Sequence, residues 1–355
     1  MSGSKTVQAV VAGHICLDLI PALGRTAENF LKPGTMLEIG APRVSLGGTV
    51  GNTGLALKRL GITTRLVAKV GRDFMGDAIV ARLGAASGII RDPKVASSYS
   101  VVISPKGRDR SFMHCPGANA SFSEKDVPDR LLRGARILHF GYPPLMARMM
   151  RDQGAELRSL LARAKRLGLA TSLDMAHPDP ASAPPRGGWG AWLSKVLPNV
   201  DFFMPSLDEM AFMLKRGASD PTGLADDLLG MGCGVVVLKM GADGLYLKSG
   251  KNSEGAWKDR EIWAPSYKVN VVGTTGAGDC SIAGFLAAWS KGEGPSACLN
   301  AGAAAGAFCV EQLDSSSGVP DWAGLKRRQG AGWPRKGLSL KGWLRQEDGC
   351  YQRRK

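Results

Sequence analysis

The chain lacks most of the features that would make it a membrane, zinc-ribbon or disulfide protein. No apolar run approaches the roughly 20 residues of a membrane-spanning helix, and the opening MSGSKTVQAVVAG does not have the layout of a signal peptide. Seven cysteines, an odd number with no C-x-x-C pair, argue against a disulfide framework or a structural zinc site. A reducing cytoplasm is the expected compartment. His14, His114, His139 and His177 show no metal-ligand spacing and are expected to be structural. Neither a G-x-x-x-x-G-K-[ST] phosphate loop nor a helix-opening G-x-G-x-x-G is present. Aromatic residues make up only 6% of the chain.

What remains is ordinary for a large globular protein. The 355 residues, 44% hydrophobic and 22% charged, can form one large α/β domain or two. The net charge of +15 first suggests nucleic acid. Ten basic and two acidic residues from Lys326 to Lys355 supply +8 of it, however, and nucleic acid binding is therefore not expected. That stretch shows little periodicity and reads as a basic appendage, 326–355, outside the core. Its removal should leave kcat/KM unchanged.

From about residue 119 onward, strand-like runs alternate with helix-like ones: ARILHFG, then MARMMRDQGAELRSLLARAKRLG, then LATSLDMA, and so on to GVVVLKMGADG and CLNAGAAAGAFCVEQL. The expected fold is α/β, a three-layer sandwich with a mainly parallel sheet covered on both faces. Strand-rich pieces at about 16–46 and 98–117, the second reading as a hairpin, are expected to pair as a small separate sheet acting as a lid. The expected main domain covers residues 7–325.

The most informative stretch is VNVVGTTGAGDCSIAGFLAAW, from Val269 to Trp289. Its valines read as a strand end, Gly273 to Gly278 as a tight turn, and Asp279 as the opening of an apolar helix. Gly276 and Gly278 remove side chains, so backbone N–H groups there can approach a ligand closely, and a helix N-terminus favours an anion. Taken alone, Asp279 is either the helix N-cap or a base facing a held phosphate. A second glycine turn, with Lys239, Gly241 and Gly244, follows another strand. Loops at the carboxyl ends of parallel strands meet in one crevice, so both turns can cradle one nucleotide. Asp18 lies among apolar neighbours, either near a site or partly exposed beside a turn.

These residues resemble the ribokinase-like (PfkB) carbohydrate kinase family over roughly residues 7–320. GGTVGNTGLALKRLGITTRLVAKVG is similar to the first family signature through Gly47, Gly48, Asn52, Gly61 and Gly71. GTTGAGDCSIAGFL is similar to the second through Thr274, Gly276, Ala277, Gly278 and Asp279. KVGRDFMG, RSFMHCPGAN and KMGADG match in the same order.

The resemblance implies an ATP-dependent, Mg²⁺-requiring kinase acting on a hydroxyl of a small sugar. Asp279 would be the catalytic base, and the turn through Gly276, Ala277 and Gly278 the anion hole. Asp18, Gly47, Gly48 and Asn52 would hold the sugar, with Arg110 and Phe112 in the lid, unless these two are ordinary hairpin residues. Lys239, Gly241, Gly244, Thr274 and Asn300 would belong to the nucleotide site, although Asn300 also suits a helix N-terminus. Glu209 would act on the metal through water. The lid is also expected to clasp a second subunit.

Two positions depart from the family pattern. Ser206 replaces the Asn of an Asn-x-x-Glu motif that ends at Glu209. Gly273 stands where potassium-activated members carry an Asp, so the resemblance does not extend to potassium activation. The few aromatics near the lid (Phe30, Tyr99, Phe112) favour a sugar over a nucleoside. The remaining alternative is a non-catalytic binding protein on the same fold.

Overall fold

The computed structural model describes residues 7–23, 33–34, 36–84, 88–103, 111–217, 220–338 and 340–354. Arg110 and Phe30 lie outside the described residues.

The N-terminal part runs β1 (Ala9–Gly13), β2 (Cys16–Ala22), β3 (Gly40–Gly47), α1 (Gly48–Arg59), β4 (Thr64–Gly71), α2 (Phe74–Leu83), β5 (Ile89–Asp92), β6 (Tyr99–Ile103) and β7 (Ser111–Cys115). There follow α3 (Asp129–Leu132), β8 (Ile137–Gly141), α4 (Ala147–Arg166, interrupted by non-helical backbone at 151–154), β9 (Ala170–Leu173), α5 (Gly188–Val196), β10 (Phe202–Phe203), α6 (Leu207–Leu214) and α7 (Pro221–Gly230). The chain ends with β11 (Val235–Lys239), β12 (Leu245–Ser249), β13 (Glu261–Ala264), α8 (Ala277–Ser290), α9 (Pro295–Val310), α10 (Trp322–Gly330), β14 (Trp343–Arg345) and β15 (Tyr351–Arg353).

Among the described residues, eleven strands form one sheet in the order β14-β15-β13-β12-β11-β10-β9-β8-β1-β4-β5. Neighbours from β5 to β11 pair in parallel, and those from β11 to β14 are antiparallel. Side chains of a strand alternate between faces. In β1, Ala9 and Val11 accordingly enter one core, with Leu57, Leu66 and Phe285, while Val10 and Ala12 enter the other, with Phe140, Leu160 and Trp192. Two separate cores on one sheet make the expected α/β/α sandwich.

Helices α8 and α9 pack unusually close because their contact is lined by glycine and alanine. A Cβ on Gly284 would fall 2.4 Å from the Ala301 carbonyl oxygen, and one on Gly306 would fall 2.3 Å from Ser281 Oγ. This approach keeps α8 pressed against the sheet, with Asp279 to Ala288 buried.

The pieces expected to form a lid pair as a second sheet, β3-β2-β6-β7. Its outer parts are open, with Val44, Phe112 and Met113 between 37% and 54% exposed.

Two sequence expectations are corrected. Val269 to Val272 do not form a strand. Val271 and Val272 are exposed, and the segment is tied to α9 through the Val272 N–H, which donates to the Val310 carbonyl at 2.7 Å. The basic stretch 326–355 is also not outside the core. Its β15 pairs with β13, placing Gln352 opposite Ile262, and Cys350 is fully buried. Trp333 stacks on Tyr267 with ring centroids 4.3 Å apart, and Trp343 packs edge-on against Tyr246 and Trp263. Those aromatics and the pairing pattern of β15, rather than periodicity, hold the stretch to the sheet.

Candidate active site

The site forms where the start of α1, the end of β8 and the start of α8 meet. Gly276, at φ +77°, is the N-cap of α8, and a Cβ there would lie 2.3 Å from the Ser315 carbonyl oxygen. Asp279 is therefore a first-turn residue and not the N-cap, and its carboxylate makes no capping bond to its own helix. Instead it is buried at 2% exposure and accepts three hydrogen bonds from elsewhere. Asn52 Nδ2 donates to Oδ2 at 3.0 Å, Thr53 Oγ1 to Oδ1 at 2.9 Å and Tyr142 OH to Oδ2 at 2.7 Å. The backbone amides of the first turn, around Gly278 and Asp279, have no carbonyl partner within the helix and offer an anion-binding cradle.

On one side of Asp279 lie the residues expected to hold the acceptor. Gly47 is followed by Gly48 at φ +79°, and their missing side chains admit two groups from β2 and the turn before it. A Cβ on Gly47 would lie 2.4 Å from Asp18 Oδ2, and one on Gly48 would lie 2.4 Å from His14 Nδ1. Asp18 and Asn52 are both 4% exposed, and Asn52 Oδ1 has no hydrogen-bond partner within the protein. Phe112, 51% exposed on β7, shares the lid face of His114, two residues along the strand.

On the other side is a cavity of about 500 Å³ lined by Lys239, Gly241, Gly244, Thr274, Gly278 and, from the C-terminal stretch, Lys336. Gly241 and Gly244 have φ of +53° and +95°. A Cβ on Gly278 would stand 3.5 Å from Lys239 Nζ, so the bare backbone lets the ammonium reach the anion cradle.

Lys239 Nζ is 2.6 Å from Asp174 Oδ1, in a pair almost closed to solvent. Burial, reinforced by Glu209 and Asp279, pushes the Asp174 carboxyl up to about 8 against the opposing pull of Lys239. Burial also opposes the charge on Lys239, but Asp174 and then Glu209 outweigh it and raise its value. Of the two groups, Lys239 holds its proton the more tightly. Asp174 Oδ2 has no hydrogen-bond partner. Burial, followed by the nearby Asp279, raises Tyr142 well above an ordinary phenol, so it remains a donor to that carboxylate.

Most of the expected residues meet here, with two differences. Asn300 sits inside α9 and holds the C-terminal stretch: its Nδ2 donates to the Asp348 carbonyl at 3.2 Å and its Oδ1 accepts from Cys350 Sγ at 3.1 Å. It is not among the cavity-lining residues. Glu209 forms a capping box with Ser206, in which the Ser206 N–H donates to Oε2 at 2.7 Å and Ser206 Oγ accepts from the Glu209 N–H at 3.2 Å. Serine caps a helix as well as asparagine does, which accounts physically for the exchange at 206. Tyr142, Thr53 and Lys336 were not foreseen. A tyrosine at φ +65° just after a strand carries no signal that a sequence reading can detect.

The fold recurs in known structures. Superposition on Arabidopsis thaliana ribokinase complexed with ribose and ATP covers 91% of this chain and 98% of that one, with a TM-score of 0.72 at 20% identity. In sequence it is 27% identical over 342 residues to the nucleoside kinase of Methanothermobacter thermautotrophicus, covering 94% of this chain and 98% of that one. It is also 26% identical over 291 residues to fructokinase-2 of Zea mays, covering 79% of each. The family pattern described as pfkB family carbohydrate kinase matches residues 8–322, which takes in both glycine turns, Asp18, Asn52 and Asp279. With nine-tenths of its length under that pattern and the ribokinase fold beneath it, the chain belongs to the pfkB family of carbohydrate kinases.

Proposed function

We propose that this chain transfers the γ-phosphoryl group of ATP to a hydroxyl of a small sugar, with Asp279 as general base. The observation that carries the reading is the position of Asp279, which accepts a hydrogen bond from Asn52 on one side and on the other directly follows Gly278 of the cavity lined by Lys239, Gly241, Gly244 and Thr274. The acceptor hydroxyl gives its proton to Asp279 as its oxygen forms a bond to the γ-phosphorus, and ADP leaves with the electrons of the broken P–O bond. The amides of Gly276 to Asp279, the positive end of α8 and the Lys239 ammonium stabilise the charge on the transferring group. Three neutral donors hold the Asp279 carboxylate in one orientation, which supports its role as the base that takes the acceptor's proton.

The unpartnered Asp174 Oδ2 and the carboxylate of Glu209 fit a hard, hydrated cation. Mg²⁺ held there through water would supply charge neutralisation to the triphosphate. At Gly273 a Cβ would fall 2.8 Å from the Gln312 carbonyl oxygen, and the lack of an acidic side chain there supports turnover that does not depend on potassium. The open lid sheet supports a homodimer formed through its exposed face, and seven unpaired thiols support a reducing, cytoplasmic setting.

Incubation with Mg-ATP and a panel of sugars and nucleosides tests the reading, with ADP release expected for a sugar. Release with nucleosides alone would replace the acceptor class, and none with any acceptor would favour a binding protein. Asp279→Asn is expected to lower kcat by about 10²–10⁴-fold and to leave ATP binding nearly intact.

A further inference from the structure

The mechanism above leaves unused a group of soft donors at the floor of the lid. His14 and His114 are a hundred residues apart in sequence, yet their Nε2 atoms lie 3.2 Å apart. Cys16, two residues before Asp18 on β2, brings its Sγ close to both, and the three donor atoms lie within 4.8 Å of one another. His14 and Cys16 are 2% and 3% exposed. We propose that His14, His114 and Cys16 form a binding site for a borderline-soft divalent cation, Zn²⁺, inside the pocket read above as the acceptor site.

Geometry carries the assignment. Two imidazole nitrogens on a tetrahedral zinc, each at about 2.0–2.1 Å, are separated by roughly 3.3 Å, and the observed spacing is 3.2 Å. The ring of His114 is oriented from behind by Ser100, whose Oγ is 3.0 Å from Nδ1, and the same Oγ donates to Cys16 Sγ at 3.7 Å. With the His114 proton on Nδ1, facing Ser100, its Nε2 lone pair points at His14. This outer-shell hydrogen bond is the arrangement by which zinc-ligating histidines are commonly held. Burial keeps both rings neutral by lowering their values, and His14 Nδ1 has no hydrogen-bond partner.

The thiol donates to Asp18 Oδ1 at 3.2 Å. To ligate, Cys16 must exchange its hydrogen bond to Asp18 for a zinc–sulfur bond of roughly 2.3 Å. Loading releases the Cys16 thiol proton to solvent, moves the His14 ring proton from Nε2 to Nδ1, and leaves a fourth position open to water. Because Cys16 and Asp18 point to the same face of β2, the ion and the acceptor compete for one space.

The placement in the acceptor pocket rests on the kinase reading, whereas the metal site does not, so two measurements separate them. The untagged, metal-stripped full chain is titrated with Co²⁺ and, against a chromophoric chelator, with Zn²⁺. One ion per chain is expected, with the intense visible bands of tetrahedral Co²⁺ and a thiolate-to-cobalt charge-transfer band. Cys16→Ser should abolish that charge-transfer band, and His114→Ala should weaken Zn²⁺ binding at least about tenfold. Unchanged thermal melting would show that both variants fold, and Ser100→Ala gives a milder second variant. An unchanged cobalt spectrum in Cys16→Ser, or no stoichiometric uptake by the wild type, overturns the site even if the kinase is active. In the kinase assay Zn²⁺ should raise the apparent KM for the acceptor and be reversed by chelator. Inhibition relieved by ATP and not by the acceptor would overturn the placement and leave the ion-binding result standing.

Discussion

At the scale of single residues, the candidate base is defined by what surrounds it. Asp279 keeps three neutral hydrogen-bond donors, and Tyr142 is the one that comes from the far side of the sheet's crevice, at the end of β8. Tyr142→Phe removes one of the three donors that fix the orientation of that carboxylate. The variant is expected to lose about tenfold in kcat, on the scale of one charged hydrogen bond. KM for ATP should be unchanged. Wild-type kcat in the folded variant would make Tyr142 a packing residue only.

His139 offers a second single-residue test. It is fully buried between Ser172 Oγ at 3.0 Å and Thr49 Oγ1 at 3.1 Å, and burial together with Lys239 lowers its pKa from 6.5 to about 3. A histidine depressed in the folded state contributes stability above its unfolded value and loses it as pH falls. The loss should run from about pH 6.5 towards 3, at about 1.4 kcal/mol per pH unit. Denaturant midpoints between pH 7 and 5 should fall less steeply in His139→Gln than in the wild type, by one proton's worth of slope.

At the scale of elements, the position of α8 depends on small residues more than on any strong attraction. Gly284 and Gly306 let α9 approach until backbone meets backbone. Gly284→Val should lower stability by about 1–3 kcal/mol through overpacking. Because α8 carries the anion cradle at its N-terminus, the variant should also lose kcat more than a destabilised surface mutant does. Equal activity per folded molecule, measured alongside thermal melting, would show that α8 tolerates the shift.

The elements also show why some of the site was readable. Both glycine turns, the Gly47–Gly48 entry to α1 and the lid pieces are local, and glycine at a turn signals backbone conformation directly. Asn300 misled because an asparagine inside a helix can turn either to a ligand or to its own chain, and here Asp348 and Cys350 take it.

At the scale of the whole molecule, the C-terminal stretch changes the account most. The basic stretch 326–355 supplies β14 and β15, two strands that extend the main sheet, and its Lys336 lines the cavity shared with Lys239 and Gly278. The Lys336 N–H donates to the Ser266 carbonyl at 2.9 Å, and Arg328 lies 3.7 Å over the Trp333 ring. Truncation after Leu325 is therefore expected to lower the melting temperature and to raise KM for ATP more than KM for the sugar, in contrast to the unchanged kcat/KM that the composition of the stretch suggests. Equal ATP KM in a folded truncated chain would remove Lys336 from the site.

The sequence by itself determined the alternation of strands and helices, the two-faced sheet, both glycine turns and Asp279 at the opening of the helix after the second turn. Each of these is written in local periodicity or in the demand of a turn for glycine. Tertiary structure alone decided what touches Asp279, how Lys239 and Asp174 pair, and that the C-terminal strands close the sheet's edge. It also brought His14 to His114 across a hundred residues. The physical reason is the same in each case: these contacts join side chains from distant strands and helices, and their energies depend on separation and burial, which exist only once the sheet has assembled.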